Sequence, residues 1–380
     1  MNKLWRQLAI GTNWPILAAV IVLSVAGIVS IYYQRSDLGV MQLIYLAVAI
    51  GCLAAVQGVN YTLLGRSAWA FYFLSLLLVL YTVAGSLLAG SSVSLPGVQK
   101  VNGAYAWIKF GPLSLEPSEL MKIAFVMVMA RYLRFRHSFR TLPGLLPPFA
   151  LAALPVVLIL KQPDLGVAAL FFPTLMAMLF VAGAKAKHIF LVVAMAAVLT
   201  PIFWLSPLVK PYQRERLSAM LGSDPRSLQA SGYQQERALT ALGVGGAVGK
   251  GLGNLSVSRH VPEAYNDMIF AVIGEQFGFL GSVVVLAAYL VLFAAGVEIS
   301  AATREPFGKL LAVGLVVLLA AQAILNLLVV MKLFPVTGVT LPFVSYGGSS
   351  LVACYIAAGL LLNIGQNRPL VMARNAFEFN

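Results

Sequence analysis

The sequence predicts an all-α, polytopic membrane protein with about ten transmembrane helices and one large extracytoplasmic loop, and three observations carry that expectation. Sixty percent of its 380 residues are hydrophobic and only 10% are charged, whereas a soluble domain carries about 25% charged residues. The apolar runs reach roughly 20 residues, the length of a spanning helix and twice that of a barrel strand. Finally, the basic residues behind the net charge of +13 lie mostly between the apolar runs. That placement points to membrane topology and anionic headgroups rather than to nucleic acid.

Taken in order, the expected spans are residues 14–33, 39–58, 68–89, 117–135, 142–160, 164–184, 187–206, 268–297, 307–331 and 346–365. The first is long for the apolar region of a cleaved signal peptide and reads as a retained anchor. With the N-terminus inside, thirteen Lys and Arg fall in cytoplasmic segments, among them Arg131, Arg134, Arg136 and Lys187. Five fall in the short outer ones: Arg35, Lys100, Lys109, Lys161 and Lys332. Under the positive-inside rule both termini are cytoplasmic and the long loop at about 207–267 faces outward. The chain reads as a single transmembrane domain.

That loop is too polar to span and too long to be a mere connector. It carries PYQRERL at 211–217, with Arg214 and Arg216, and the glycine run GVGGAVGKGLG at 243–253. The run resembles a phosphate loop only on the surface. Val244 stands where Walker A spacing needs glycine, and no Ser or Thr follows Lys250. A flexible turn beside the membrane is the reading that remains. The two cysteines, Cys52 and Cys354, sit in apolar segments and read as packing residues. Three histidines make a His-based metal site an unpromising reading. There is no G-x-S-x-G elbow and no nucleophilic triad.

Acids are scarce, 13 in all, so an acid where loop meets membrane is a candidate for chemistry. Asp267 is the foremost, since it ends the loop just before an apolar run. Glu263 lies four residues upstream, on the same side of any nascent helix there, and reads as a residue that orders the loop. Glu275 lies inside the run, and Arg259 begins the segment. In the fourth span Glu119 and Lys122 are three apart, on one helix face. They read equally as a structural ion pair or as a polar wall facing a charged headgroup. Ser118 is available to cap that helix and Asp164 to cap the sixth. Residues 334–351, with Pro335, Gly338, Pro342, Gly347 and Gly348, break the helical pattern beside Gln322 and Asn326. Irregular backbone there is tolerated when it packs in protein or lines a wet cavity.

In order along the chain, GAYAWI at 103–108, EPSELMK at 116–122, QPDLG at 162–166, VPEAYNDMIFAVIGEQFG at 261–278 and PVTGVTLPFVSYGGSS at 335–350 resemble the motifs of the SEDS family. These are the RodA-, FtsW- and SpoVE-like polymerases of bacterial peptidoglycan. The resemblance implies ten membrane helices and a glycosyltransferase that polymerises lipid II at the outer face of the cytoplasmic membrane, in elongation or division. It implies Asp267 as the essential acid, and Glu119, Lys122 and Asp164 as matches to the family's polar positions. Ser345, within the last motif, is a candidate substrate contact. A class B penicillin-binding protein, a transpeptidase, is the implied partner. The chain also departs from the pattern. Tyr265-Asn266-Asp267 stands for His-Thr-Asp, and Glu116 stands for Gln. Tyr105 and Ala106 occupy the place of an expected arginine before Trp107. Lys100, Lys109 or Arg259 would then have to supply that cation.

Polymerisation needs a base for the attacking sugar hydroxyl and cations for the departing diphosphate. Asp267 suits the base. Lys122, Arg214, Arg216 or a bound divalent cation, Mg or Mn, suits the diphosphate. Two other classes share these features: a lipid II flippase or other lipid transporter, and a scaffold that only positions a transpeptidase. A transporter predicts acids spread along a path through the bilayer, and a scaffold predicts a replaceable Asp267.

Overall fold

A computed structural model of the chain describes residues 13–88, 95–101, 104–111, 113–136, 138–205 and 231–367. A helix occupies each of the ten expected spans: α1 (Trp14–Gln34), α2 (Ser36–Gln57), α4 (Ala68–Leu87), α5 (Pro117–Leu133), α6 (Leu146–Lys161), α7 (Leu165–Ala182), α8 (Ala186–Leu205), α10 (Ile269–Ala302), α11 (Pro306–Val330) and α12 (Gly348–Gln366). Two more lie between them, α3 (Tyr61–Arg66) and α9 (Ser231–Val244). Among the described residues, eight helical segments are long and apolar enough to cross a membrane. Their outer faces carry bare apolar side chains such as Leu77 and Leu290, as a lipid-facing surface requires.

Helix α5 has only 17 residues and carries Glu119, Lys122 and Arg131. It nevertheless lies at the centre, against α4, α7, α11 and α12. Every residue from Met121 to Ala130 is buried. Protein rather than lipid surrounds its polar side chains, which removes much of the cost of carrying them there.

Two features depart from the sequence expectation. A three-stranded antiparallel sheet precedes α5: β1 (Val98–Val101), β2 (Ala104–Phe110) and β3 (Leu113–Leu115), in that order. Val98 pairs with Ile108, and Ile108 with Leu115. Ala106 and Ile108 turn inward while Lys109 is exposed, the alternation of a half-buried strand. The long loop, secondly, contains helix α9 and a glycine segment that is an interlock rather than a free turn.

That interlock explains the length of α10. Thirty-four helical residues would measure about 51 Å, against a hydrocarbon core of about 30 Å. The helix breaks at Gly278, where φ is 67° and ψ −160°. A break orphans backbone groups, and here the glycine segment satisfies them. Lys250 N–H donates to Glu275 O (2.9 Å) and Gly251 N–H to Gln276 O (3.1 Å). In return, Phe279 N–H donates to Gly246 O (2.8 Å) and Leu280 N–H to Ala247 O (3.1 Å). Such close approach excludes side chains: a Cβ on Gly249 would lie 2.1 Å from Gln276 O.

Candidate active site

Asp267 sits where the loop enters α10, and its position is set by three consecutive carbonyls. Tyr265 O accepts from Tyr346 N–H at 2.9 Å. Asn266 O accepts from the Ser345 hydroxyl at 2.5 Å, and Asp267 O from Asn326 Nδ2 at 2.7 Å. The acid's backbone is thus held by α11 and by the irregular segment 331–347. Its side chain is 7% exposed, and Oδ1 accepts from Gln234 Nε2 of α9 at 3.3 Å. The same Gln234 nitrogen donates to Pro262 O at 3.0 Å.

The pair on α5 joins this arrangement through α11. Lys122 Nζ donates to Glu119 Oε1 (2.9 Å) and to Gln322 Oε1 (2.8 Å). Gln322 Nε2 continues to Thr340 O (3.0 Å), and the Thr340 and Ser350 hydroxyls lie 2.7 Å apart. Asn326, one helical turn from Gln322, also donates to Val339 O at 2.8 Å. Successive residues Val339 and Thr340 therefore tie Asp267 to the Glu119–Lys122 pair. Both members of the pair are buried, at 4% and 3% exposed. Glu119 Oε2 is buried with no hydrogen-bond partner among the described residues.

Ser118 does not cap α5, because its hydroxyl donates to Glu116 Oε1 at 2.9 Å. Glu116 is the N-cap residue and makes no side-chain cap bond. Its backbone N–H donates instead to the Ser349 hydroxyl at 2.8 Å. Burial, then the charges of Glu119 and Asp164, push the Glu116 carboxyl up to about 8. Next to it lies an apolar pocket of about 390 Å³, lined by Tyr45, Val48, Leu115, Leu120 and Val352 among others. Glu119 and Lys122 do not line it.

The other expected residues divide. Asp164 caps α7, accepting from Val167 N–H at 3.0 Å. Ser345 is 4% exposed, and its hydroxyl also accepts from Leu341 N–H at 2.7 Å. These two backbone partners make it a support of the Asp267 segment. Glu263 is exposed, with φ +49°, and its Oε2 accepts from Asn266 Nδ2 at 3.0 Å. Residues 262–268 are turns, not a nascent helix, so the expected shared face with Asp267 does not form. Arg259 is exposed on a short 3-10 turn, Ser258–His260. Lys100 and Lys109 are exposed on the sheet. Arg214 and Arg216 lie outside the described residues. Among those residues no three His, Cys, Asp or Glu side chains gather to hold a metal.

For three contributors the sequence does not show the role the structure gives them. Gln234 approaches Asp267 from 33 residues away, and nothing in its local pattern marks it. Glu275, fully buried, accepts from the N–H groups of Ser256 (2.7 Å), Val257 (2.9 Å) and Ser258 (2.8 Å) and from the Ser256 hydroxyl (2.9 Å). It anchors the loop leading to Asp267. Arg35, at the α1–α2 corner, pairs with Asp37 at 2.6 Å while half-exposed.

The helices and this site define a multi-pass membrane protein whose polar centre is assembled at the loop-bearing end of the bundle. The chain belongs to the FtsW/RodA/SpoVE family of cell cycle proteins, whose family model matches residues 5–369. It is 36% identical over 323 residues to a probable peptidoglycan glycosyltransferase FtsW of Geobacter metallireducens, covering 83% of this chain and 82% of that one. It is 37% identical over 282 residues to the stage V sporulation protein E of Bacillus subtilis, covering 72% and 75%. Among solved structures, it resembles a chain of a peptidoglycan synthase complex that coordinates polymerization and crosslinking. That likeness has a TM-score of 0.80 and 28% identity, over 95% of this chain and 99% of that one. The rod shape determining protein RodA of Thermus thermophilus gives 0.67 and 25%, over 94% and 97%.

Proposed function

We propose that this protein is a peptidoglycan glycosyltransferase that polymerises lipid II at the outer face of the cytoplasmic membrane, with Asp267 as its general base. The observation that carries the reading is the placement of Asp267. It is a nearly buried acid whose backbone is fixed by three successive hydrogen bonds at the loop-bearing end of the bundle. Membership of a family that includes a probable peptidoglycan glycosyltransferase supports the reaction class. The excess of basic residues in the opposite connections supports N and C termini in the cytoplasm and this end outside.

In the reaction a sugar hydroxyl of one chain attacks the anomeric carbon of the other. Asp267 takes the hydroxyl proton as the new C–O bond forms. The bond to the polyprenyl diphosphate breaks with its electron pair, through an oxocarbenium-like transition state. One displacement converts the α-linked donor into a β-1,4 product, so a single base suffices. Lys122, locked between Glu119 and Gln322, sets the shape of the polar centre. Exposed cations such as Arg259 are better placed to meet the diphosphate. The partner we assign is a class B penicillin-binding protein, which would crosslink the emerging strand.

Polymerisation of purified lipid II, with and without that partner, tests the reading. Asp267→Asn keeps the shape and removes the basicity, and is expected to cost roughly 10²–10⁴-fold in rate. Glu263→Gln, at an exposed turn, is expected to cost far less. Full glycan ladders from a folded Asp267→Asn protein would place the base elsewhere.

A further inference from the structure

Beside Asp267 three tyrosines from distant parts of the chain meet. The rings of Tyr265 and Tyr346 stand edge to face, centroids 5.6 Å apart at 89°. Tyr45 of α2 tilts against Tyr346, ring centroids 6.1 Å apart at 56°. Tyr45 is 7% exposed, whereas Tyr265 and Tyr346 are only half-buried. The bond from Tyr346 N–H to Tyr265 O locks the two backbones together, so the rings keep their geometry. Around them the charges are Arg35 and Asp37 from the α1–α2 corner and Glu263 from the loop. On its other side Tyr45 walls the apolar pocket of about 390 Å³.

A rigid, half-exposed aromatic pair next to a carboxylate and a cation does not look like core. Core rings bury their faces, and an amphipathic aromatic with two torsions loses little entropy on binding a ligand. The negative ring face attracts the weakly positive C–H edge of an apolar surface, and a pyranose presents a face of that kind. We propose that Tyr265 and Tyr346, backed by Tyr45, form the platform on which a pyranose ring of the lipid-linked sugar stacks beside Asp267. The proposal rests on the glycosyltransferase reading and deepens it. Tyr265 and Tyr346 are tied to the backbone that carries Asp267, through Tyr346 N–H to Tyr265 O and the Ser345 hydroxyl to Asn266 O, and the proposal directs the hydroxyls of a sugar seated on the platform toward that acid. Its hydrocarbon tail would lie toward the apolar pocket across Tyr45. This platform also gives a use to Tyr265, which stands where the family resemblance predicts histidine.

The test is equilibrium binding to the Asp267→Asn protein in lipid nanodiscs, which does not depend on turnover. The probes are lipid II and undecaprenyl diphosphate, which has the same tail and diphosphate but no sugar. Tyr265→Leu keeps the bulk and removes the aromatic face, and is expected to weaken lipid II binding roughly tenfold. It should leave undecaprenyl diphosphate binding unchanged, and Tyr265→Phe should keep the affinity for lipid II. Equal losses for both lipids, equal losses for Leu and Phe, or unchanged lipid II binding by Tyr265→Leu would each overturn the platform. Polymerisation by the wild-type chain, run in parallel, reports on the enzymatic reading separately.

Discussion

The Glu119–Lys122 pair is buried on both sides, and each charge is stable only because the other is present. Removing one partner of such a pair costs about 3–5 kcal/mol, whereas replacing both by apolar groups is often neutral. Glu119→Gln and Lys122→Met are therefore each expected to lower the thermal midpoint more than the double variant does. Strict additivity in that cycle would show that the two charges are independent. Glu116 gives a second residue-scale expectation. Its folded-state value of about 8 lies above its ordinary 4.5, so the folded state holds a proton that the unfolded state has released between those values. Stability must then fall as pH rises through that window, and Glu116→Gln should flatten the fall. A wild-type midpoint that climbs between pH 5 and 8, and is unaltered by Glu116→Gln, would contradict the assignment.

At the scale of elements, the break in α10 and the glycine segment act as one unit. Gly278→Ala would put a Cβ 2.3 Å from Gly249 N at φ +67°, and Gly249→Ala one 2.1 Å from Gln276 O at φ +82°. Each should destabilise by roughly 2–4 kcal/mol through left-handed strain and overpacking. Gly243→Ala, in α9 with nothing within 4 Å, is the control. It should be neutral or slightly stabilising through helix propensity, and thermal unfolding in detergent compares the three. The membrane helices were legible because long apolar runs declare themselves, and Asp267 because an acid is rare in such surroundings. The Asp164 cap was legible too, from a Pro-Asp pair before an apolar run. The sheet at 98–115 was not, since its strands are at most seven residues long and lie outside the apolar runs. Nor was the break, because the apolar pattern continues unchanged across Gly278 while only tertiary contact with 246–251 reveals it. Gln234 and the Tyr265–Tyr346 contact were hidden for the same reason: sequence distance conceals them.

For the molecule as a whole, the expected orientation places Asn254 outside and Arg136 and Lys187 inside. Cys52 and Cys354 are both free, so a background with both replaced allows single cysteines to be placed. Asn254→Cys should react with a membrane-impermeant maleimide on intact cells, and Arg136→Cys only after permeabilisation. The reverse pattern would overturn the orientation and, with it, an outer-face reaction. The break in α10 bears also on how the chain enters the bilayer. Insertion machinery reads hydrophobicity, and residues 269–302 offer it more apolar length than one crossing can use. The broken backbone and the Glu275 carboxylate favour a crossing that starts after Gly278. From Phe279 to Ala302 that crossing measures about 36 Å, close to the bilayer's needs. The stretch from Ile269 to Phe277 is left to be docked afterwards by the loop that precedes it in the chain. Insertion and assembly of the reactive end are in this way separate events. A variant damaged in the glycine segment would therefore still reach the membrane, and its loss of stability would show afterwards, in the docking that brings its acid into place and in a shorter lifetime of the inserted chain.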